Sequence, residues 1–206
     1  MALFSQGRTG TPADLLVVGL GNPGDEYAGT RHNLGAEVVV LLAARHGGRL
    51  KASKERALSC EVKVGPRIMA LAFPQTYMNL SGESVRMLAK RHGITEPGRI
   101  VVVYDELDLP AGRLKVKVGG GSAGNNGIKS VLAHVGSPDF VRVRVGIGKP
   151  PGTQKGADFV LKRPGKQERI ELDVSVAIAA DAVELILSDG VDRAMNTYNT
   201  EPAPPA

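Results

Sequence analysis

Residues 17–33 read VVGLGNPGDEYAGTRHN. The apolar run Leu15–Val18 predicts a buried strand, and Gly19, Gly21 and Gly24 after it fit G-x-G-x-x-G, the dinucleotide-binding fingerprint. That fingerprint needs a helix that starts in the turn, so that its first N–H groups meet a pyrophosphate. Here Pro23, Gly24 and Gly29 punctuate a polar loop instead, and the next helical apolar period begins near Leu34. The acidic residue expected about 20 positions further on is missing too, since that region reads LLAARHGG. The strand therefore ends in a loop that presents Asn22, Tyr27, Arg31, His32 and Asn33, a setting for chemistry rather than for a cofactor.

Working outward, LLVVGL, IMALAF and IVVVYDEL read as buried strands, continuous in Val, Ile and Leu. RLKVKV and FVRVRVGIG alternate as half-exposed strands do. Between them lie helical periods: Leu34, Val38, Leu41 and Leu42 before Gly47; Val85, Leu88 and Ala89 before Gly93; Ile128, Val131, Leu132 and Val135 before Gly136. A long last helix places Ile170, Val174, Ile178 and Leu185 on one side and stops at Gly190. Strands alternating with helices predict an α/β fold: a single-domain three-layer sandwich, with a mixed, mostly parallel twisted sheet flanked by helices. The domain is expected to span 14–196, between a flexible tail at 1–13 and a disordered tail at 197–206 that includes EPAPPA. Residues 148–166 read as a basic connection, mobile in part.

The 206 residues, 42% hydrophobic, suffice for one core. No run of about 20 apolar residues spans a membrane, and the first dozen residues lack an apolar signal core. The lone Cys60 cannot form an internal disulfide, which fits a cytoplasmic location, and its alternating run LSCEVKV suggests a small buried packing role. The net charge of +5 favours an anionic partner, weakly by itself.

Three of the four histidines have simple explanations. His46, His92 and His134 fall in last helical turns, where the dipole favours a cation. His32 alone sits in the polar loop after a central strand. An isolated loop histidine ordinarily bonds backbone, so a catalytic reading needs partners. Asp105 supplies one, since it ends an apolar strand, where functional residues of α/β sheets gather. Asp105, Glu106 and Asp108 could alternatively hold magnesium. No second acidic cluster exists, however, and a carboxylate that orients one imidazole is the simpler use. Asn79, Asn125 and Asn126 stand at strand-to-helix junctions, where helix capping competes with a site role. No phosphate loop G-x-x-x-x-G-K-[ST] and no G-x-S-x-G nucleophile motif appears. Lys115 and Lys117, and Arg142 and Arg144, share strand faces that are ordinarily just solvated.

GLGNPGDEYAGTRHNLG, TYMNLSG, YDELDLPAG, GGGSAGNNGIKSV and FVRVRVGIGKP, in this order from about Val17 to Val191, together resemble the bacterial peptidyl-tRNA hydrolase family. The resemblance implies a monomeric, cytoplasmic enzyme without metal or organic cofactor and without an obligate protein partner. It would cleave the ester between a peptide and the tRNA 3′ end. It implies His32 as general base, Asp105 as the residue that holds it, and Asn22 as the group discriminating peptidyl-tRNA from aminoacyl-tRNA. Tyr27, Tyr77, Asn79 and Asn126 would contact the tRNA end and adjoining peptide, and Lys117 and Arg144 the phosphates of the acceptor stem. Many members carry His where Asn125 stands here. Two rivals remain: a binding module that lost hydrolysis, and a dinucleotide-dependent enzyme. The retained Asn22, His32, Asn79, Asp105 and Asn126 disfavour the first, and the failed fingerprint disfavours the second.

Overall fold

The structure, a computed structural model, describes residues 10–200. Seven strands, β1 (Leu15–Gly19), β2 (Lys51–Ser53), β3 (Ala57–Val64), β4 (Arg67–Pro74), β5 (Ile100–Glu106), β6 (Leu114–Val118) and β7 (Val141–Gly146), form one sheet in the order β2-β3-β4-β1-β5-β7-β6. The central four, β4-β1-β5-β7, run parallel, and the pairings β2/β3, β3/β4 and β6/β7 are antiparallel. The helices are α1 (Leu34–Arg45), α2 (Ser81–His92), α3 (Asn126–Val135), α4 (Gly156–Val160), α5 (Lys166–Asp189) and α6 (Val191–Tyr198). None of them is long and apolar enough to cross a membrane.

The continuous apolar runs follow from burial on both faces of the sheet. Leu15 and Val17 of β1, with Val101 and Val103 of β5, pack beneath α1, α5 and α6. Leu16 and Val18, with Ile100, Val102 and Tyr104, pack beneath α2 and α3. Strand alternation thus separates neighbours: Asp105 continues the α1 face, whereas Glu106 continues the face of Tyr104.

Four sequence expectations change. The long apolar side of α5 is not its packed side, for Ile170 and Val174 are 59% and 56% exposed. The buried face runs instead through Leu172, Val176, Ala179, Ala180, Val183 and Ile186. A reading weighted to large residues overlooks the alanines that let α5 approach α1. The tails also shorten. Gly10 and Ala13 donate backbone N–H groups to Arg91 and His92, and the buried His92 bonds the Thr11 carbonyl at 2.8 Å. At the other end, Asn199 makes two hydrogen bonds to the backbone of Val116, each of 2.8 Å. EPAPPA lies outside the described residues. β7 is buried rather than half exposed, because β5 and β6 flank it and Arg142 and Arg144 find internal acceptors. Cys60 is half-buried, and burial and the adjacent Glu61 push its thiol pKa up.

Candidate active site

A cleft of about 790 Å³ opens at the carboxyl ends of β1 and β5. Its walls include Asn22, His32, Tyr77, Asn79, Asp105 and Asn126, which are drawn from five separate stretches of chain. Asn22 and Tyr77 sit just past β1 and β4, and Asp105 is the penultimate residue of β5, so all three lie at the carboxyl ends of strands, where the functional residues of α/β sheets gather. Apolar Met78, Leu107, Val160 and Leu161 line it as well, beside the carboxylates of Glu106 and Asp108.

His32 lies in a single tight turn, Arg31–Asn33, that leads directly into α1. Its Nδ1 is 2.8 Å from Oδ1 of the buried Asp105. An ionised carboxylate only accepts, so Nδ1–H donates and Nε2 retains its lone pair. Burial disfavours the charged imidazole, but the Asp105 charge and hydrogen bond outweigh it, and the His32 pKa lies above its ordinary 6.5.

Asn22 is held from three sides. Its N–H donates to Asn33 Oδ1 at 2.8 Å, its carbonyl accepts from Asn33 Nδ2 at 2.9 Å, and its own Oδ1 accepts the Met78 N–H at 2.8 Å. With that oxygen committed, the side chain offers Nδ2–H₂ as a donor. Asn125 caps α3, accepting the Ile128 N–H at 3.0 Å, and so the capping reading holds for it. Asn79 instead lies exposed in a short turn before α2 and caps nothing.

Two groups escaped the sequence reading. Nothing in the sequence gives Asn33 a task, yet it clamps Asn22. Sequence gives Arg31 only a place in the loop, but its guanidinium is buried. It makes two 2.5 Å bonds to Glu168, donates to the carbonyls of Phe159 and Lys162, and lies 4.0 Å from the centre of the Phe159 ring. Arg163 adds bonds of 2.9 Å to the carbonyls of Asp25 and Ala28. These ties fasten part of the 148–166 connection, which contains α4, to the turn that carries His32. No local sequence signal marks these arginine contacts, whose partners are more than 100 residues away.

Other expected site residues fall elsewhere. Tyr27 is half-buried outside the cleft, its carbonyl accepting from Thr30. Lys117 and Arg144 line a neighbouring cavity of about 200 Å³, with Tyr104, Gly120 and Arg142. Arg144 is not a free surface cation, since Glu106 accepts its Nε and Nη2 at 3.0 and 2.7 Å. Glu106 is thereby committed and Asp108 is exposed, and no metal-binding group of three His, Cys, Asp or Glu forms among the described residues.

The family model described as peptidyl-tRNA hydrolase matches residues 16–205. The chain belongs to the peptidyl-tRNA hydrolase family. A peptidyl-tRNA hydrolase of Leifsonia xyli is 50% identical over 188 residues, covering 90% of this chain and 96% of the relative. One from Mycobacterium tuberculosis is 49% identical over 185 residues, covering 88% and 95%. The crystal structure of the Acinetobacter baumannii peptidyl-tRNA hydrolase superposes with a TM-score of 0.84 at 37% identity, covering 92% of this chain and 96% of that one. Membership in this family makes the chain a hydrolase with the α/β fold expected of it.

Proposed function

We propose that the cleft hydrolyses the ester joining a peptide, or an N-blocked amino acid, to the 3′ end of tRNA. The observation that carries this reading is the His32–Asp105 contact at the wall of a cleft that also presents the fixed amide of Asn22. Neutral His32 takes a proton from water through Nε2 as the oxygen attacks the ester carbonyl. Asp105 holds the ring and stabilises the imidazolium that forms. Amide donors such as Asn22 Nδ2 polarise a carbonyl without adding net charge. An ester is a reactive enough electrophile for water and a general base to suffice, with no metal or organic cofactor.

Discrimination follows from the commitment of Asn22. A donor-only group bonds the carbonyl of a peptide or N-acyl link. It cannot accept from the ammonium of unblocked aminoacyl-tRNA, so the free amine is left without a partner. Tyr77, Asn79 and Asn126, which line the cleft, would meet the tRNA end and peptide, and Lys117 and Arg144, at the neighbouring cavity, with the exposed Lys115 beside them, would meet backbone phosphates. The enzyme is read as a cytoplasmic monomer that needs no protein partner.

The purified protein is expected to release N-acetyl-amino acid from N-acetyl-aminoacyl-tRNA and to leave unblocked aminoacyl-tRNA largely intact. No release from the blocked ester would overturn the reading. pH provides a second test. Because His32 must be neutral to act, kcat/KM should rise with pH along a limb whose midpoint lies above 6.5. Asp105→Asn removes the group that raises this pKa and leaves the burial that lowers it. The limb should then move to lower pH while the plateau rate falls; an unmoved limb would remove Asp105 from the mechanism. The proton also stabilises the fold. That contribution is complete below the unfolded-state value of about 6.5 and is lost as pH rises through the higher folded-state value.

A further inference from the structure

Asp105 and Glu106 are sequence neighbours that β5 sends to opposite faces of the sheet, one to His32 and the other to Arg144. Glu106 Oε2 accepts both Arg144 Nε and Nη2, and its Oε1 accepts the Asp108 N–H at 3.0 Å. Glu106 lines the large cleft and Arg144 lines the smaller cavity, so their ion pair forms part of the wall between them.

On that face the register of β6 and β7 places Lys115 opposite Arg144 and Lys117 opposite Arg142. The four cations are not equivalent. Arg142 is buried, donates to the carbonyls of Gly120 and Gly121 and lies over the Phe140 ring. Arg144 is engaged by Glu106, whereas Lys115 and Lys117 are exposed and have no acceptor among the described residues. Among the described residues, only Arg144 is a cation at the small cavity with a carboxylate already on it.

We propose that Glu106 is a positioning residue that competes with a substrate phosphate for Arg144, and so limits how tightly the enzyme grips tRNA. The proposal rests on the peptidyl-tRNA reading. A guanidinium offers the same fork to carboxylate and to phosphate, so a phosphate entering the small cavity must share Arg144 with Glu106 or displace it. Cleaving the ester leaves every tRNA phosphate in place. A phosphate grip therefore holds substrate, transition state and product alike; it lowers KM without lowering the chemical barrier, and it slows product release. An internal carboxylate on one cation weakens that uniform grip and speeds departure of the tRNA.

The test measures binding of deacylated tRNA against salt, and steady-state hydrolysis of N-acetyl-aminoacyl-tRNA, for wild type, Glu106→Gln, Arg144→Gln and the double variant. Glutamine keeps an acceptor for the Asp108 N–H and loses the charge. Glu106→Gln should bind deacylated tRNA about tenfold more tightly, the worth of one charge-assisted hydrogen bond. Its salt dependence should steepen by about one counterion. KM and kcat should fall together. In the Arg144→Gln background, Glu106→Gln should change neither affinity nor slope. Unchanged affinity and slope in Glu106→Gln overturns the proposal, and so does a gain that survives without Arg144. If Glu106→Gln does not fold, Glu106→Asp, one methylene short of Arg144, should tighten binding to a smaller degree, and no tightening overturns the proposal. Wild-type protein that leaves N-acetyl-aminoacyl-tRNA intact refutes the substrate reading. Normal wild-type turnover with unchanged Glu106→Gln binding refutes the competition alone.

Discussion

His32→Ala is expected to lower kcat/KM for N-acetyl-aminoacyl-tRNA by about 10²–10⁴-fold, the usual contribution of a positioned general base. At ~1.4 kcal/mol per factor of ten, that corresponds to roughly 3–6 kcal/mol of lost transition-state stabilisation. Binding should change little, because the imidazole does its work on water and Lys115, Lys117 and the cleft amides are untouched. The loss should therefore appear in kcat rather than KM. The fold should persist, since truncation leaves Asp105 beside the open cleft, where water replaces the ring. Single-turnover rates with saturating enzyme, together with a thermal melt, check both points. Turnover equal to wild type would refute the base assignment, whatever the family.

The pair behind this prediction was readable from the chain because both members follow apolar runs whose ends can be located in sequence. The strand ends at Gly19 and Glu106 put Asn22 and Asp105 at the same end of the sheet, and a parallel sheet gathers such ends together. The helix start at Leu34 then brings back His32. What stayed hidden depends on long-range acceptors. Nothing in FVRVRV indicates that Arg142 will meet the carbonyls of Gly120 and Gly121, or that Arg144 will meet Glu106. Alternation predicts which side chains share a face, and that part held: all four cations do share one. It carries no information on whether the face is wet. Tyr27 shows the converse limit. Its loop was correctly placed near the cleft, but the turn closed by Thr30 leaves the ring outside the lining.

The second large effect returns to the glycines of the opening stretch. Their spacing imitates a cofactor turn, yet Gly19 serves helix packing: a Cβ there would stand 2.0 Å from the Gly35 carbonyl oxygen. Gly35, in the first turn of α1, is equally confined. Its added Cβ would lie 2.2 Å from the Val103 carbonyl and 2.7 Å from the Leu20 amide nitrogen, both backbone atoms that no rotamer change can move. Those same groups bond one another, since the Leu20 N–H donates to Val103 at 2.9 Å, and Ala36 N–H donates to Leu20 at 3.1 Å. Gly35→Ala must therefore push α1 away from β1 and β5. Overpacking of this kind costs about 3 kcal/mol or more, which lowers the melting temperature by roughly 6–12 °C in a domain of this size. Gly98→Ala, with open space around its Cβ, is the control and should melt like wild type. Activity should fall with stability for a geometric reason. His32 stands three residues before Gly35 and Asp105 two after Val103, so a displacement of α1 from β5 lengthens the 2.8 Å contact between them. Folded Gly35→Ala measured well below its melting point should show a reduced kcat and a pH limb shifted toward that of Asp105→Asn. A wild-type melt and pH profile would show that the tight approach of α1 is not what sets the His32–Asp105 distance.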